Sequence, residues 1–163
     1  MALTKLNNNS LHSITDGSAL KNATGTVLQT VNNTHTTEQS ISAFTDVGVA
    51  TSITPKSSSS KILVMVTAQV NQTHPSNLTV YGHFELYRGD SSGTNIFDGQ
   101  SAEIVAGATM REHGVRWHAH VLDSPATTSS TTYTLYYRPE SGNTHIINRN
   151  GSPAVMTLME IAV

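Results

Sequence analysis

His118 and His120 stand two positions apart in the run VRWHAHVL, and their type and spacing could serve metal binding. If this run is a β-strand, side-chain alternation places both imidazoles on the same face. Neutral imidazole is a common ligand of zinc and of other transition metals. With His83 on a neighbouring strand, the three side chains could bind a metal ion, and a threefold axis could supply three copies of one imidazole.

The same alternation also fits an ordinary half-buried strand. In that interpretation Trp117, Ala119 and Val121 face the core, and the two histidines between them face solvent or a subunit interface. The chain contains no cysteine, and no cluster of carboxylates completes a metal site. We favour this interpretation and predict no bound metal, with the three histidines named above as the candidate ligands.

The sequence lacks the residue patterns that other common catalytic sites require. It has no Gly-x-Ser-x-Gly nucleophile elbow and no glycine-rich phosphate loop. Its 11 Asp and Glu residues are scattered, and few of them fall in the interior of a predicted strand, with Glu85, Glu103 and Glu160 as the exceptions. We expect Glu160 to project from the polar face of the last strand or to pair with a basic residue. The sequence therefore predicts no enzymatic activity and no cofactor.

Aromatic side chains offer a different chemistry, because their rings can stack on the faces of sugars. Tyr136 and Tyr137 are adjacent in TTYTLYYR, so one must face the core and the other solvent. We name Tyr81 and Tyr137 as the candidate glycan contacts. Ordinary packing in the core of a β-sandwich is the alternative, and we favour it for most of these rings.

Charged residues make up only 12% of the chain, and the formal net charge at pH 7 is −2. No stretch carries the basic patch that a nucleic-acid-binding protein needs, so no nucleic-acid partner is predicted. No apolar run approaches the roughly 20 residues of a membrane-spanning helix, and we expect no membrane insertion. A chain so close to neutral could associate readily with itself or with a partner.

The body of the chain has the composition of strands joined by turns, with β-branched residues separated by Ser, Asn and Gly. No window shows a convincing helical period. The most hydrophobic run, Lys61 to Val70, predicts a central strand, and Gly48 predicts an irregularity in the strand before it. We therefore predict an all-β fold, an antiparallel, jelly-roll-like β-sandwich that spans residues 26–163.

Residues 1–25 differ from the rest of the chain, because their apolar side chains are isolated among polar ones. These side chains are too sparse to form a core of their own, and their spacing is too broken for a helix. We predict an extended N-terminal arm that attaches the protein to a partner. The partner-binding residues would be its apolar ones, namely Leu3, Leu6, Leu11, Ile14 and Leu20.

Several short motifs follow one another along the chain in a fairly specific order. They are MALTKLNNNSL at the start, GTVLQTV (25–31), FTDVGVATSITPKSSSSKILVMV (44–66), LYRG (86–89), VLDSPATTSSTTYTLYYR (121–138), GNTHIINRNG (142–151) and the ending MTLMEIAV. In this order they resemble small structural proteins and fibre-tip domains of tailed bacteriophages, especially marine and cyanobacterial ones. The resemblance covers nearly the whole chain and implies a jelly-roll-like virion component, often trimeric, without enzymatic activity.

From this resemblance we expect a small homotrimeric appendage on the phage head, either a decoration protein or a short head fibre, docked through the N-terminal arm. Its partners would be further copies of itself and other virion proteins, such as the major capsid protein or the tail. It would be located in the virion, which is assembled in the cytoplasm of the bacterial host. The alternative is a tail-fibre or receptor-binding module that recognises a glycan on the host surface.

Overall fold

The computed structural model describes residues 24–73, 79–101, 104–105, 112–140 and 143–163. These residues form strands joined by turns, with one 3-10 turn at Arg149–Gly151. No helix in this part of the chain is long and apolar enough to cross a membrane. Its strands are β1 (Val27–His35), β2 (Gln39–Ile41), β3 (Thr45–Ile53), β4 (Lys61–Thr73), β5 (Thr79–Val80), β6 (Gly82–Arg88), β7 (Thr94–Gln100), β8 (Ile104–Val105), β9 (Glu112–Asp123), β10 (Thr131–Pro139), β11 (His145–Ile147) and β12 (Ala154–Ile161).

Strand β4 is the centre of a six-stranded sheet. One edge of β4 pairs with β9 along nearly its whole length, and the other edge pairs first with β12 and then with β11. β1 extends this sheet beyond β12, and β2 extends it beyond β11. A four-stranded sheet in the order β3-β10-β6-β7 forms the second layer, and β5 pairs separately with β8. Every pairing among the described strands is antiparallel, so the predicted antiparallel, jelly-roll-like β-sandwich is confirmed.

Alternate side chains of β4 fill the space between the two large sheets. Ile62, Val64 and Val70 are fully buried, whereas the residues between them are partly exposed on the outer face. Phe84 of β6 belongs to the same core, and its ring stacks on that of Trp117 in β9 with centroids 4.5 Å apart. Burying a large apolar side chain stabilises a fold by about 1.5–3 kcal/mol relative to exposure. The most hydrophobic run of the sequence is therefore the central strand, as predicted.

The observed strands differ from the predicted ones mainly in the short elements. β2 has no counterpart in the sequence-based prediction, because a strand of three residues shows no periodicity. Tyr81 separates β5 from β6, although the sequence pattern from Leu78 to Arg88 predicts one strand. The irregularity predicted at Gly48 is confirmed, since its φ is +80° and the register between β3 and β10 shifts there. A Cβ at Gly48 would also clash with the ring of His35.

Glu160 is fully buried, which corrects the prediction that it projects from a polar face. Along β12 it falls in the same buried register as Leu158. Its carboxylate accepts hydrogen bonds from Gln29 Nε2 at 2.6 Å and from the backbone N–H of Lys56 at 2.7 Å. The ammonium of Lys56 donates instead to the carbonyl of Leu28, so among the described residues no basic side chain pairs with Glu160.

Burial by itself would raise the pKa of Glu160. The hydrogen bonds from Gln29 and from the backbone N–H groups of Lys56 and Ser57 outweigh that effect and lower the pKa below its ordinary value. The ionised carboxylate therefore contributes stability above about pH 4.3, the pKa of an unfolded glutamate. That contribution is lost as the pH falls through the lower pKa of the folded state.

Replacing this carboxylate by an amide, Glu160→Gln, should lower the free energy of unfolding by about 2 kcal/mol near pH 7, because buried donors lose a charged acceptor. The difference from the wild type should shrink when the pH is taken below about 4, where the charge is being neutralised. Urea unfolding at both pH values measures the two differences.

Glu38→Gln is the matched control for this change. Glu38 is exposed and accepts one hydrogen bond, from the backbone N–H of Asn150 at 2.9 Å. Its replacement should change the free energy of unfolding by less than about 0.5 kcal/mol. A loss at Glu160→Gln that is equal at both pH values would contradict a stabilising role of the charge.

Candidate functional site

The two histidines of β9 lie on the outer face of the six-stranded sheet. His118 and His120 are exposed and stand opposite Thr67 and Met65 of β4 in the strand register, whereas Trp117 is buried in the core. They line a groove of about 330 Å³ that β12 closes on its other side. The interpretation in which the histidines face solvent or a subunit interface is therefore the one that the structure supports.

His83 lies on the other side of the sandwich. It is on β6, and its side chain is on the outer face of the four-stranded sheet, where Nδ1 is 2.9 Å from Asp98 Oδ1. The three candidate metal ligands are therefore not brought together within one chain, and a trio of His83, His118 and His120 in a single chain is wrong. Within the described ranges no group of three His, Cys, Asp or Glu side chains could hold a metal ion.

The outer face of the six-stranded sheet, which we call the association face, combines apolar and polar side chains. Its apolar side chains are partly exposed, and 53% of Leu122 is accessible to solvent. Charged residues lie toward its ends, with Lys61 at one end and Arg116 near the other. The apolar members of the association face include Leu63, Met65, Leu122, Val155, Met159 and Ile161.

The outer face of the four-stranded sheet carries aromatic and polar side chains instead. Phe44, just before β3, stacks on Tyr136 of β10 with centroids 4.9 Å apart and planes 16° apart. Tyr87 of β6 meets both rings edge-on, at 6.2 Å from Phe44 and 5.4 Å from Tyr136. The three rings form a surface cluster in which each ring orients the others.

Glu85 is the polar centre of this face. It accepts hydrogen bonds from the Tyr87 hydroxyl at 2.9 Å, from Asn95 Nδ2 at 3.2 Å and from Arg138 Nε at 3.3 Å. The hydrogen bond to Glu85, more than burial, raises the pKa of the Tyr87 hydroxyl. The carboxylate therefore fixes the positions of a phenol, an amide and a guanidinium on one surface.

A groove of about 350 Å³ lies at the end of this face, and we call it the β6–β10 groove. Tyr81 and His83 form one side of it, and their rings meet edge-on at 6.0 Å. Phe44, Arg138 and Glu140 also line it. Tyr81, a glycan contact predicted from the sequence, is therefore at a concave surface site.

Tyr137 is not on this surface, so its prediction as a glycan contact is wrong. The side chain is fully buried, its hydroxyl lies 2.6 Å from His145 Nδ1, and burial raises its pKa to about 12. The ring packs directly against Gly82, where a Cβ would be 2.5 Å from Cζ of the tyrosine. Gly82 thus lets the backbone between Tyr81 and His83 lie close to the core.

Two residues of the groove are not predicted from the sequence. Phe44 is 38% exposed although the sequence pattern assigns it to the start of a strand. Arg138 ends a strand pattern in which nothing marks it as part of a site. The five predicted arm contacts, from Leu3 to Leu20, lie outside the described residues.

Removing the buried hydroxyl by Tyr137→Phe should lower the free energy of unfolding by about 1–2 kcal/mol, because His145 loses a buried hydrogen-bond partner. Tyr136→Phe is the control one residue away. The Tyr136 hydroxyl accepts from the backbone N–H of Ser91 at 3.2 Å in an exposed turn, so its loss should cost less than about 0.5 kcal/mol. Urea denaturation compares the two, and equal costs would contradict the assignment of the buried pair.

The strands and sheets define this protein as a jelly-roll-like β-sandwich, and the comparisons with known proteins go no further. No family model matches the sequence, and no curated protein matches it. The structure is similar to Eiger TNF from S. frugiperda, with 14% identity and a TM-score of 0.36 over 63% of this chain and 59% of that one.

The structure is also similar to infectious bursal disease virus, Gx strain, with 12% identity and a TM-score of 0.40 over 84% of this chain and 39% of that one. The VP2 subviral particle of infectious bursal disease virus gives 12% identity and a TM-score of 0.38 over 83% and 38% of the two chains. This chain thus spans less than two thirds of each of these proteins. With TM-scores of at most 0.40, the likenesses carry no argument about function.

Proposed function

We propose that the protein is a non-enzymatic structural component of a tailed-phage virion. It forms a small homotrimeric appendage on the head, as a decoration protein or a short head fibre, and docks there through residues 1–25. The sequence motifs, taken in their order along the chain, resemble those of small phage structural proteins. This resemblance supports the proposal that the protein is of that class. The observation that carries the proposal in the structure is the association face, because a structural module of this kind must bind further copies of itself.

The association face is suited to self-association by its chemistry. Burying apolar surface is favourable by about 25 cal/mol per Å², and this face leaves Leu63, Met65 and Met159 partly exposed in the single chain. Its centre carries no charged side chain, so a second copy that approaches it meets no like charge. Cyclic closure of three copies would cover the face in every copy and leave the four-stranded sheet outside.

The exposed histidines fit this arrangement. His118 and His120 line the groove beside Met65 and Val155 and so belong to the association face. In the trimer they lie between copies, which is one of the two positions, solvent or a subunit interface, that the alternation of β9 allows. One face of the protein then makes the contacts of assembly, and the opposite face is exposed to the solution around the particle.

Placing a carboxylate on the association face by Thr157→Asp should dissociate the trimer, because three buried charges would face one another and apolar surface. Thr157 stands opposite Met65 and bonds to Asn32 through its hydroxyl at 2.8 Å. Light scattering after gel filtration should give three times the chain mass of 17.4 kDa for the wild type and the chain mass itself for the variant.

Thr132→Asp is the matched control on the other sheet. Thr132 is also half-buried, and its hydroxyl also makes a cross-strand bond, to Ser52 at 2.8 Å. This variant should keep the mass of the wild type. A wild type that is monomeric at tens of micromolar, or a loss of mass in both variants, would contradict self-association through the association face.

Removing residues 1–24 should abolish incorporation of the protein into phage particles while the body stays folded. The deletion spares Gly25 and Thr26, whose backbones bond to Ala162 at 2.8 and 2.9 Å. Incorporation is measured by mass spectrometry of purified particles, and folding by the cooperativity of thermal unfolding. Particles that carry the truncated protein at the normal level would contradict docking through the arm.

A further inference from the structure

The β6–β10 groove has the parts of a ligand site and is not used by the structural role proposed above. It lies on the outer face of the four-stranded sheet, on the opposite side of the sandwich from the association face. Its volume of about 350 Å³ is within the usual range of small-molecule sites, which begins near 300 Å³. Assembly through the association face would leave this groove open to solution.

An exposed aromatic ring forms one wall of the groove. The large hydrophobic side chains that are exposed among the described residues are Val27, Phe44, Leu122 and Val163, and Phe44 is the aromatic one. Its ring is held by the stack on Tyr136, so it needs no rearrangement to accept a ligand. A preformed, half-exposed ring offers a flat apolar surface, which matches the C–H face of a pyranose.

Fixed polar groups lie beside this ring. Asp98 orients His83 through Nδ1, and Glu85 orients Arg138 through Nε. Half of the Arg138 side chain is exposed, and the nitrogen that bonds to Glu85 is Nε. Glu140 adds a carboxylate acceptor to the same groove. Donors and an acceptor side by side suit sugar hydroxyl groups, because each hydroxyl both donates and accepts.

The charges around the groove select between classes of ligand. Arg138 is paired with Glu85 and His83 with Asp98, whereas no ion pair among the described residues involves Glu140. A phosphate or another anion would therefore meet at least as much negative as positive charge. A purely apolar ligand would leave these polar groups without partners, which costs affinity. A neutral, hydroxyl-rich ligand avoids both penalties.

We propose that the β6–β10 groove binds a neutral saccharide. One pyranose ring packs against Phe44 and Tyr81, and its hydroxyl groups bond to Arg138, His83 and Glu140. This inference goes beyond the structural role, and it can fail while that role stands, because the two use opposite faces of the sandwich.

The test is saturation-transfer NMR and calorimetry of the full chain with lactose, maltotriose, cellobiose and N,N′-diacetylchitobiose, and with glucuronic acid as the anionic probe. At least one neutral saccharide should bind with a dissociation constant in the millimolar range or tighter, and glucuronic acid should bind more weakly. Phe44→Ala should weaken binding of that saccharide about tenfold, which corresponds to about 1.4 kcal/mol. Phe44→Tyr, which keeps the ring, should restore it.

Val163→Ala is the matched control, since it also shortens an exposed hydrophobic side chain, and it lies outside the groove. It should leave the dissociation constant within twofold of the wild type. Thermal unfolding of each variant verifies that the sandwich is intact. The inference is overturned if none of the four neutral saccharides binds, if binding survives Phe44→Ala, or if glucuronic acid binds more tightly than all of them.

Discussion

In β4, every second side chain from Ile62 to Val70 is buried against the four-stranded sheet, and the rest of the sandwich is arranged around this alternation. β9 and β12 pair with its two edges. In these strands too, the register therefore fixes which side chains face the core and which face outward. Because the side-chain period of a strand is two, a slip of one residue would exchange the core for the surface. The central strand thereby decides which residues of its neighbours can reach a partner.

This constraint explains what could be predicted from the sequence. Trp117 and Ala119 must face the core, so the outward position of His118 and His120 follows from the pattern alone. The glycine in β3 marks a backbone irregularity, because few other residues adopt a positive φ. The all-β class and the central strand follow from the same local rules.

What could not be predicted depends on contacts between distant parts of the chain. Glu160 is inside because Gln29 and the N–H groups of Lys56 and Ser57 converge on it, and nothing near it in sequence signals those donors. Tyr136 and Tyr137 alternate, but the pattern cannot say which of them is outward. Phe44 and Arg138 enter one groove only when β3, β10 and β6 pair side by side. The candidate site is thus a product of tertiary pairing rather than of any motif.

The place of β12 has a consequence for how the chain folds. β12 lies between β1 and β4, so these early strands have no direct pairing with each other. During synthesis β1 and one edge of β4 emerge long before β12, and they stay unpaired until it arrives. Pairings of such large sequence separation make folding slow, and open strand edges attract other chains. We therefore expect the six-stranded sheet to close only after translation has passed Ile161, in a step that a ribosome-bound chain lacking β12 cannot complete.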